Sequence, residues 1–142
     1  MSRKLVSEIE LNVRFSETDA MGVVWHGNYL KFFEDGREAF GVEYQIPYMK
    51  VYQQGYYIPI VNTSLNFKSP VRFGEKVKVV TTFNPVRSAK LLFDYVVINC
   101  TSGQIAATGS TTQVFTDAAT GELQLIAPAF YKEWLEQHQI QL

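Results

Sequence analysis

The order of sequence patterns predicts an α+β fold, with one long central helix set against a five-stranded antiparallel sheet. Three observations carry this expectation. A period-2 stretch opens the chain, one helical-period stretch follows at residues 28–42, and strand patterns run from Tyr56 to Phe115. A single helix against a single sheet is a two-layer arrangement that leaves one face poorly covered, which predicts pairing with a second copy.

In the first element, Leu5, Ile9, Leu11, Val13 and Phe15 alternate with polar neighbours, the signature of a strand with one buried face. A loop from Thr18 to Gly27 follows, with Asp19, Gly22 and Gly27 as turn formers. Tyr29, Phe32, Phe33, Gly36 and Phe40 then recur at helical spacing, predicting a helix from Asn28 to about Val42 with Asn28 or its predecessor as cap. Glycine in a helix interior is unfavourable by up to about 1 kcal/mol relative to alanine, so Gly36 is expected to allow close approach to the sheet. The mixed stretch from Pro47 to Gly55 reads as a short helical turn.

Four strands are predicted next: Tyr57 to Lys68, Val77 to Val86, Leu91 to Cys100 and Ile105 to Phe115. Pro59 argues for an edge position or a bulge in the first of them. Cys100 reads as a small core residue. Pro128 fits the first turn of a closing helix that uses Phe130, Tyr131, Trp134 and Leu135.

The chain has 142 residues, 46% of them apolar and 19% charged, which predicts one domain over residues 1–142. A net charge of −1 favours neither nucleic acid nor an anionic membrane as partner. No stretch approaches the roughly 20 apolar residues of a membrane span. The basic start, Met1-Ser2-Arg3-Lys4, leads into an alternating pattern instead of a signal-peptide core. With a single cysteine the expected location is the reducing cytoplasm.

The chemistry concentrates between residues 14 and 34. A carboxylate, Asp19, follows a strand, two glycines lie in the loop, and a helix N-terminus comes directly after. Unpaired N–H groups near His26, Gly27 and Asn28 can stabilise negative charge developing on an oxygen. A carboxylate facing such donors across a bound carbonyl has the parts for hydrolysis. The bland alternatives stand beside this one, Asp19 as a turn former and His26 as a cap or packed surface residue.

The run Glu17-Thr18-Asp19-Ala20-Met21-Gly22-Val23-Val24-Trp25-His26-Gly27-Asn28-Tyr29, followed by Phe33-Glu34 and Arg37, resembles the signature of the 4-hydroxybenzoyl-CoA thioesterase family of hot-dog proteins. The resemblance implies a hot-dog fold and hydrolysis of an acyl-CoA to free acid and CoA thiol. It makes Asp19 the catalytic nucleophile or general base, with the backbone N–H near His26 polarising the thioester carbonyl. It further implies a homodimer or homotetramer with the active site between subunits, and no metal or cofactor.

Around this centre, His26 is a candidate for positioning substrate or water, and Gly27 and Asn28 for contacts at the helix start. Glu34 either faces the site or pairs with Lys31 or Arg37 along the helix. Arg87, Ser88 and Lys90, in a predicted turn, either hold the phosphates of coenzyme A or are simply soluble surface. Lys68, Ser69 and Arg72 form a second basic group. Phe32, Phe33, Tyr56, Tyr57 and Phe67 are acyl-pocket candidates that also fit a core, and Tyr48, Met49 and Tyr52 fall where pocket length would be set. The alternative function is a hot-dog module that binds acyl-CoA or an acyl carrier without turning it over. A hydratase is disfavoured because its Asp-x-x-x-x-x-His helix pattern is missing.

Overall fold

A computed structural model describes residues 4–141. Strand β1 (Val6–Asn12) leads through a 3-10 turn (Phe15–Glu17) and a second one (His26–Asn28) into helix α1 (Tyr29–Glu43). Helix α2 (Tyr48–Gln53) follows, then strands β2 (Tyr56–Tyr57), β3 (Ile60–Phe67), β4 (Lys76–Asn84), β5 (Lys90–Asn99), β6 (Ile105–Val114) and β7 (Thr116–Asp117), and helix α3 (Ala129–Gln137). Five strands form one antiparallel sheet in the order β1-β4-β5-β6-β3, and β2 pairs with β7 beside it. This is the expected hot-dog arrangement, with α1 lying on one face of the sheet.

α1 seats its apolar face on the sheet. Phe32, Phe33 and Phe40 are buried, Phe33 stacks on Tyr95 at 4.5 Å and Phe40 meets Phe93 edge-on at 5.0 Å. A Cβ on Gly36 would stand 2.5 Å from Thr81 Oγ1 and 2.8 Å from Val79 Cγ1, so the helix comes this close to β4 only because the side chain is missing. α3 closes the far end, where Trp134 Nε1 donates to the Tyr44 carbonyl at 2.7 Å.

Several expectations are corrected. β1 ends at Asn12, and Phe15 is 76% exposed in the 3-10 turn, because the pairing with β4 runs out at Asn12–Lys76. The run expected as one strand from Tyr57 is two: Tyr56–Tyr57 pairs with β7, and beyond Ile58–Pro59 the chain pairs with β6. Pro59 precedes an edge strand whose register shifts between Ile60 and Asn62, as proline there predicts. Cys100 is exposed in the turn after β5, not part of the core. Pro128 caps α3 from just outside.

Candidate active site

The segment from Arg14 to Tyr29 is held by its own backbone and by one buried carboxylate. Glu17 is 4% exposed; its Oε1 accepts the Arg14 N–H at 2.7 Å, and its Oε2 lies 3.3 Å from Lys31 Nζ on α1. The Glu17 carbonyl accepts both the Trp25 N–H (2.9 Å) and Asn28 Nδ2 (2.8 Å), tying the loop's two ends together at the start of α1. Asn28 therefore does not cap α1 with its side chain as expected; its backbone is already helical and its amide reaches back across the loop.

Within this frame Asp19 closes a tight turn. Its carbonyl accepts the Gly22 N–H at 3.0 Å, with Gly22 at φ +76°, and its Oδ1 accepts the Met21 N–H at 2.8 Å. The turn-forming and catalytic readings are thus compatible, since Oδ1 fixes the carboxylate while Oδ2 has no protein donor among the described residues. Asp19 shares a cleft of about 240 Å³ with Val24, His26, Tyr29, Phe67 and Pro70. His26 is exposed with its ring edge-on to Phe67 at 6.3 Å, and Phe67 meets Tyr29 at 5.4 Å. Burial raises the Tyr29 phenol above its ordinary range, so it stays protonated.

Asn28 donates its N–H to the Trp25 carbonyl at 2.9 Å, whereas the His26 and Gly27 N–H groups take no backbone partner among the described residues. They are orphan donors of the kind a helix start leaves, and His26 lines the cleft that holds Asp19. Gly27 also gives room to Trp25, whose ring a Cβ there would meet at 2.2 Å.

The remaining candidates separate into groups. Phe67 and Ser69 join the Asp19 cleft, and Phe32 and Phe33 are core. Glu34 pairs with neither Lys31 nor Arg37; it accepts the Tyr48 hydroxyl at 3.4 Å. Arg37 is fully buried, donating Nε to Gln113 at 2.9 Å and Nη2 to the Ile46 carbonyl at 3.1 Å, between the rings of Tyr48 and Phe93. Tyr48, Met49, Tyr52, Tyr57 and Ile58 line a second cleft of about 300 Å³. Ser88 and Lys90 line a third with Leu125.

Within one chain these groups stand apart. Phe67 pairs with Ala107 at one end of β6, whereas Gln113, bonded to Tyr48, and Val114, paired with Lys90, lie at the other, about 20 Å along the strand. The helix start at Asp19 therefore does not meet Arg87, Ser88 and Lys90, nor the Tyr48 cleft, in the same chain. Glu17 supplies only the carboxylate half of a capping box, since an arginine side chain accepts no hydrogen bond, so the spacing Arg14-x-x-Glu17 carried no ready sign of the buried Glu17. Nothing local signals the Tyr48–Gln113 contact, which joins residues 65 positions apart.

The family model of the Thioesterase-like superfamily matches residues 13–135, from the end of β1 through nearly all of α3, with the Asp19 loop included. The chain belongs to this superfamily. Among curated relatives it is 30% identical over 112 residues to the Bacillus subtilis "Putative acyl-CoA thioesterase YneP", covering 79% of this chain and 80% of that one. Among solved structures it is similar to a DHNA-CoA thioesterase from Staphylococcus aureus, with TM-score 0.82 and 30% identity over 96% of this chain and 91% of that one. The 4-hydroxybenzoyl CoA thioesterase from Pseudomonas sp. strain CBS-3 shares the fold, with TM-score 0.79 over 91% and 98% of the two chains at 20% identity. Thioester hydrolysis is the activity for which the superfamily is named. Among the described residues no helix is long and apolar enough to cross a membrane.

Proposed function

We propose that this chain hydrolyses an acyl-CoA thioester to the free acid and the CoA thiol, with Asp19 as nucleophile or general base. One observation carries the reading: among the described residues, a carboxylate with a free oxygen shares a cleft with His26, whose N–H, like that of Gly27 beside it at the helix start, takes no partner. In the base route Asp19 takes a proton from water and the new hydroxide adds to the thioester carbon. In the nucleophile route Oδ2 adds directly, the C–S bond breaks to give a mixed anhydride, and water then releases the acid. In both, the His26 and Gly27 N–H groups stabilise the tetrahedral oxyanion, and the sulfur leaves as thiolate and takes up a proton.

The His26 ring borders the reacting atoms and helps position substrate or water, while Asn28 holds the helix start in place. The active form is a homo-oligomer in which a second copy adds to β3. This edge strand is exposed along nearly its whole length, Val61 (58%) and Phe67 (54%) included. Lys68 N–H bonds to the Ala106 carbonyl, so even-numbered residues of β3 face β6, and Thr63, Leu65 and Phe67 direct their N–H and C=O outward. A two-fold centred near Thr63–Ser64 sets Phe67 of one copy beside residues 59–61 of the other. Arg87, Ser88 and Lys90 of that second copy then approach the Asp19 cleft and serve the coenzyme phosphates. Glu34 reaches the same composite site through Tyr48. The exposed, unpaired thiol of Cys100 suits the reducing cytoplasm, the compartment we assign.

The test is thiol release from a panel of acyl-CoA thioesters by wild type and Asp19→Asn. Wild type should turn over at least one member, and the asparagine variant should lose about 10²- to 10⁴-fold in rate. Binding without thiol release by wild type makes the chain a non-catalytic acyl-CoA module. Full rate in Asp19→Asn removes Asp19 from the chemistry. A single turnover in ¹⁸O-water identifies the anhydride route: water that opens the anhydride at the Asp19 carbonyl carbon leaves its oxygen in that carboxylate, an outcome the base route never gives.

A further inference from the structure

Trp25 stands immediately before the two free N–H groups at the start of α1, and the turn is fastened through its backbone. Its N–H donates to the Glu17 carbonyl and its own carbonyl accepts the Asn28 N–H, both at 2.9 Å. The indole then folds forward over the turn it precedes. A Cβ on Gly27 would lie 2.2 to 2.7 Å from three carbons of its six-membered ring, and its centre is 4.9 Å from that of His26. His26 also meets Phe67 edge-on at 6.3 Å, so its imidazole has an aromatic neighbour from each of two segments.

Burial does not account for this seat. The Trp25 side chain stays half exposed, so it adds little to the core. Backbone conformation does not account for Gly27 either, since its φ lies outside the left-handed region that Gly22 occupies. What glycine supplies at position 27 is room for the indole.

A short 3-10 turn restrains its own donors poorly. The turn His26–Asn28 is closed by two backbone bonds, from the Asn28 N–H to the Trp25 carbonyl and from the Tyr29 N–H to the His26 carbonyl. Neither uses the N–H of His26 or Gly27, so the direction of those two rests on the tilt of their peptide planes. Glycine is the residue beside which such planes turn most freely. An indole packed against the Gly27 Cα limits that rotation, and the same ring flanks the His26 side chain.

Resting on the thioesterase reading, we propose that Trp25 is a positioning residue for hydrolysis. Its ring, seated on Gly27 and beside His26, holds the two free N–H groups in the direction in which they meet the oxyanion. Those donors are used most when charge develops on the oxygen, so the ring acts on kcat more than on KM. Loosening two donors weakens them without removing them. The expected loss is therefore about tenfold at most, below the roughly 10²- to 10³-fold that follows removal of one oxyanion donor.

The experiment is a double-mutant cycle of Trp25→Ala and Gly27→Ala, with Trp25→Phe beside it, assayed by thiol release on the acyl-CoA that wild type turns over fastest. Each single alanine variant should lower kcat roughly five- to tenfold, with KM within about twofold of wild type. The double variant should lose no more than either single one, because both changes unseat the same ring. Trp25→Phe, which keeps a ring on Gly27, should recover part of the rate. Tryptophan emission of Gly27→Ala should move to longer wavelength as the displaced indole enters water, since Trp134 is buried and untouched by the change. Full kcat in Trp25→Ala, losses that multiply in the double variant, or a loss of kcat that comes only with a lowered melting temperature overturns the proposal and leaves hydrolysis at Asp19 standing. Absence of thiol release by wild type from every substrate overturns the thioesterase reading, and the role of Trp25 with it.

Discussion

Glu17 illustrates how one side chain holds a loop in register. Its carboxylate is buried, takes the Arg14 N–H and faces Lys31, while its carbonyl binds both Trp25 and Asn28. Lys31 is 46% exposed, so the ion pair adds little and the bond to the backbone dominates. Glu17→Ala should lower unfolding free energy by about 1–2 kcal/mol, read from urea titration, with a larger fractional loss in kcat than in KM. Unchanged kcat removes Glu17 from the positioning of Asp19. Arg37 makes a second case: lysine cannot reproduce its fork to Gln113 and Ile46 between two rings. Arg37→Lys should destabilise by about 2–4 kcal/mol in the same titration. The sequence revealed Asp19 and the helix start because both sit in one short segment. Arg37 was visible only as part of a motif, since its partners at Ile46 and Gln113 come from other elements.

α1 was legible because its apolar face recurs at the helical period and Gly36, one of its two glycines, faces β4. Gly36→Ala puts a Cβ against Thr81 and Val79, and should destabilise by about 1–3 kcal/mol on thermal or urea unfolding. Gly27→Ala differs in kind. Its Cβ meets the Trp25 ring, which is half exposed and free to swing, so stability should change by less than about 1 kcal/mol. The displaced ring, 4.9 Å from His26, disturbs the helix start, and thiol release should fall severalfold while the melting temperature holds. The sheet was legible in its interior and less so at its ends. Phe15 and Cys100 continue an alternation past the point where a partner strand stops, and alternation alone does not report where pairing ends. The break at Ile58–Pro59 was hidden likewise, because apolar residues run through it while the chain changes partner from β7 to β6.

At the scale of the whole molecule, β3 connects stability to function. One chain carries the Asp19 cleft at one end of this strand and the Tyr48 cleft and basic hairpin at the other, about 20 Å apart. No change of side-chain rotamer brings them together, whereas the antiparallel pairing proposed for two copies would do so twice. The direction of the backbone groups gives a clean way to separate assembly from folding. Thr63 directs its N–H outward, so Thr63→Pro removes a donor from the free edge and leaves the β3–β6 ladder its own bonds. The variant also forgoes the hydrogen bond from Thr63 Oγ1 to the Ser110 carbonyl, a local loss of about 1 kcal/mol. Ser64→Pro, one residue on, strikes the ladder itself and serves as the folding control. In sedimentation velocity Thr63→Pro should run as a folded monomer with wild-type circular dichroism and lose thiol release, although Asp19 and its helix start are untouched. Ser64→Pro should lose folded signal and assembly together. A Thr63→Pro protein that stays oligomeric moves the interface away from β3, and a fully active monomer makes one chain sufficient for catalysis.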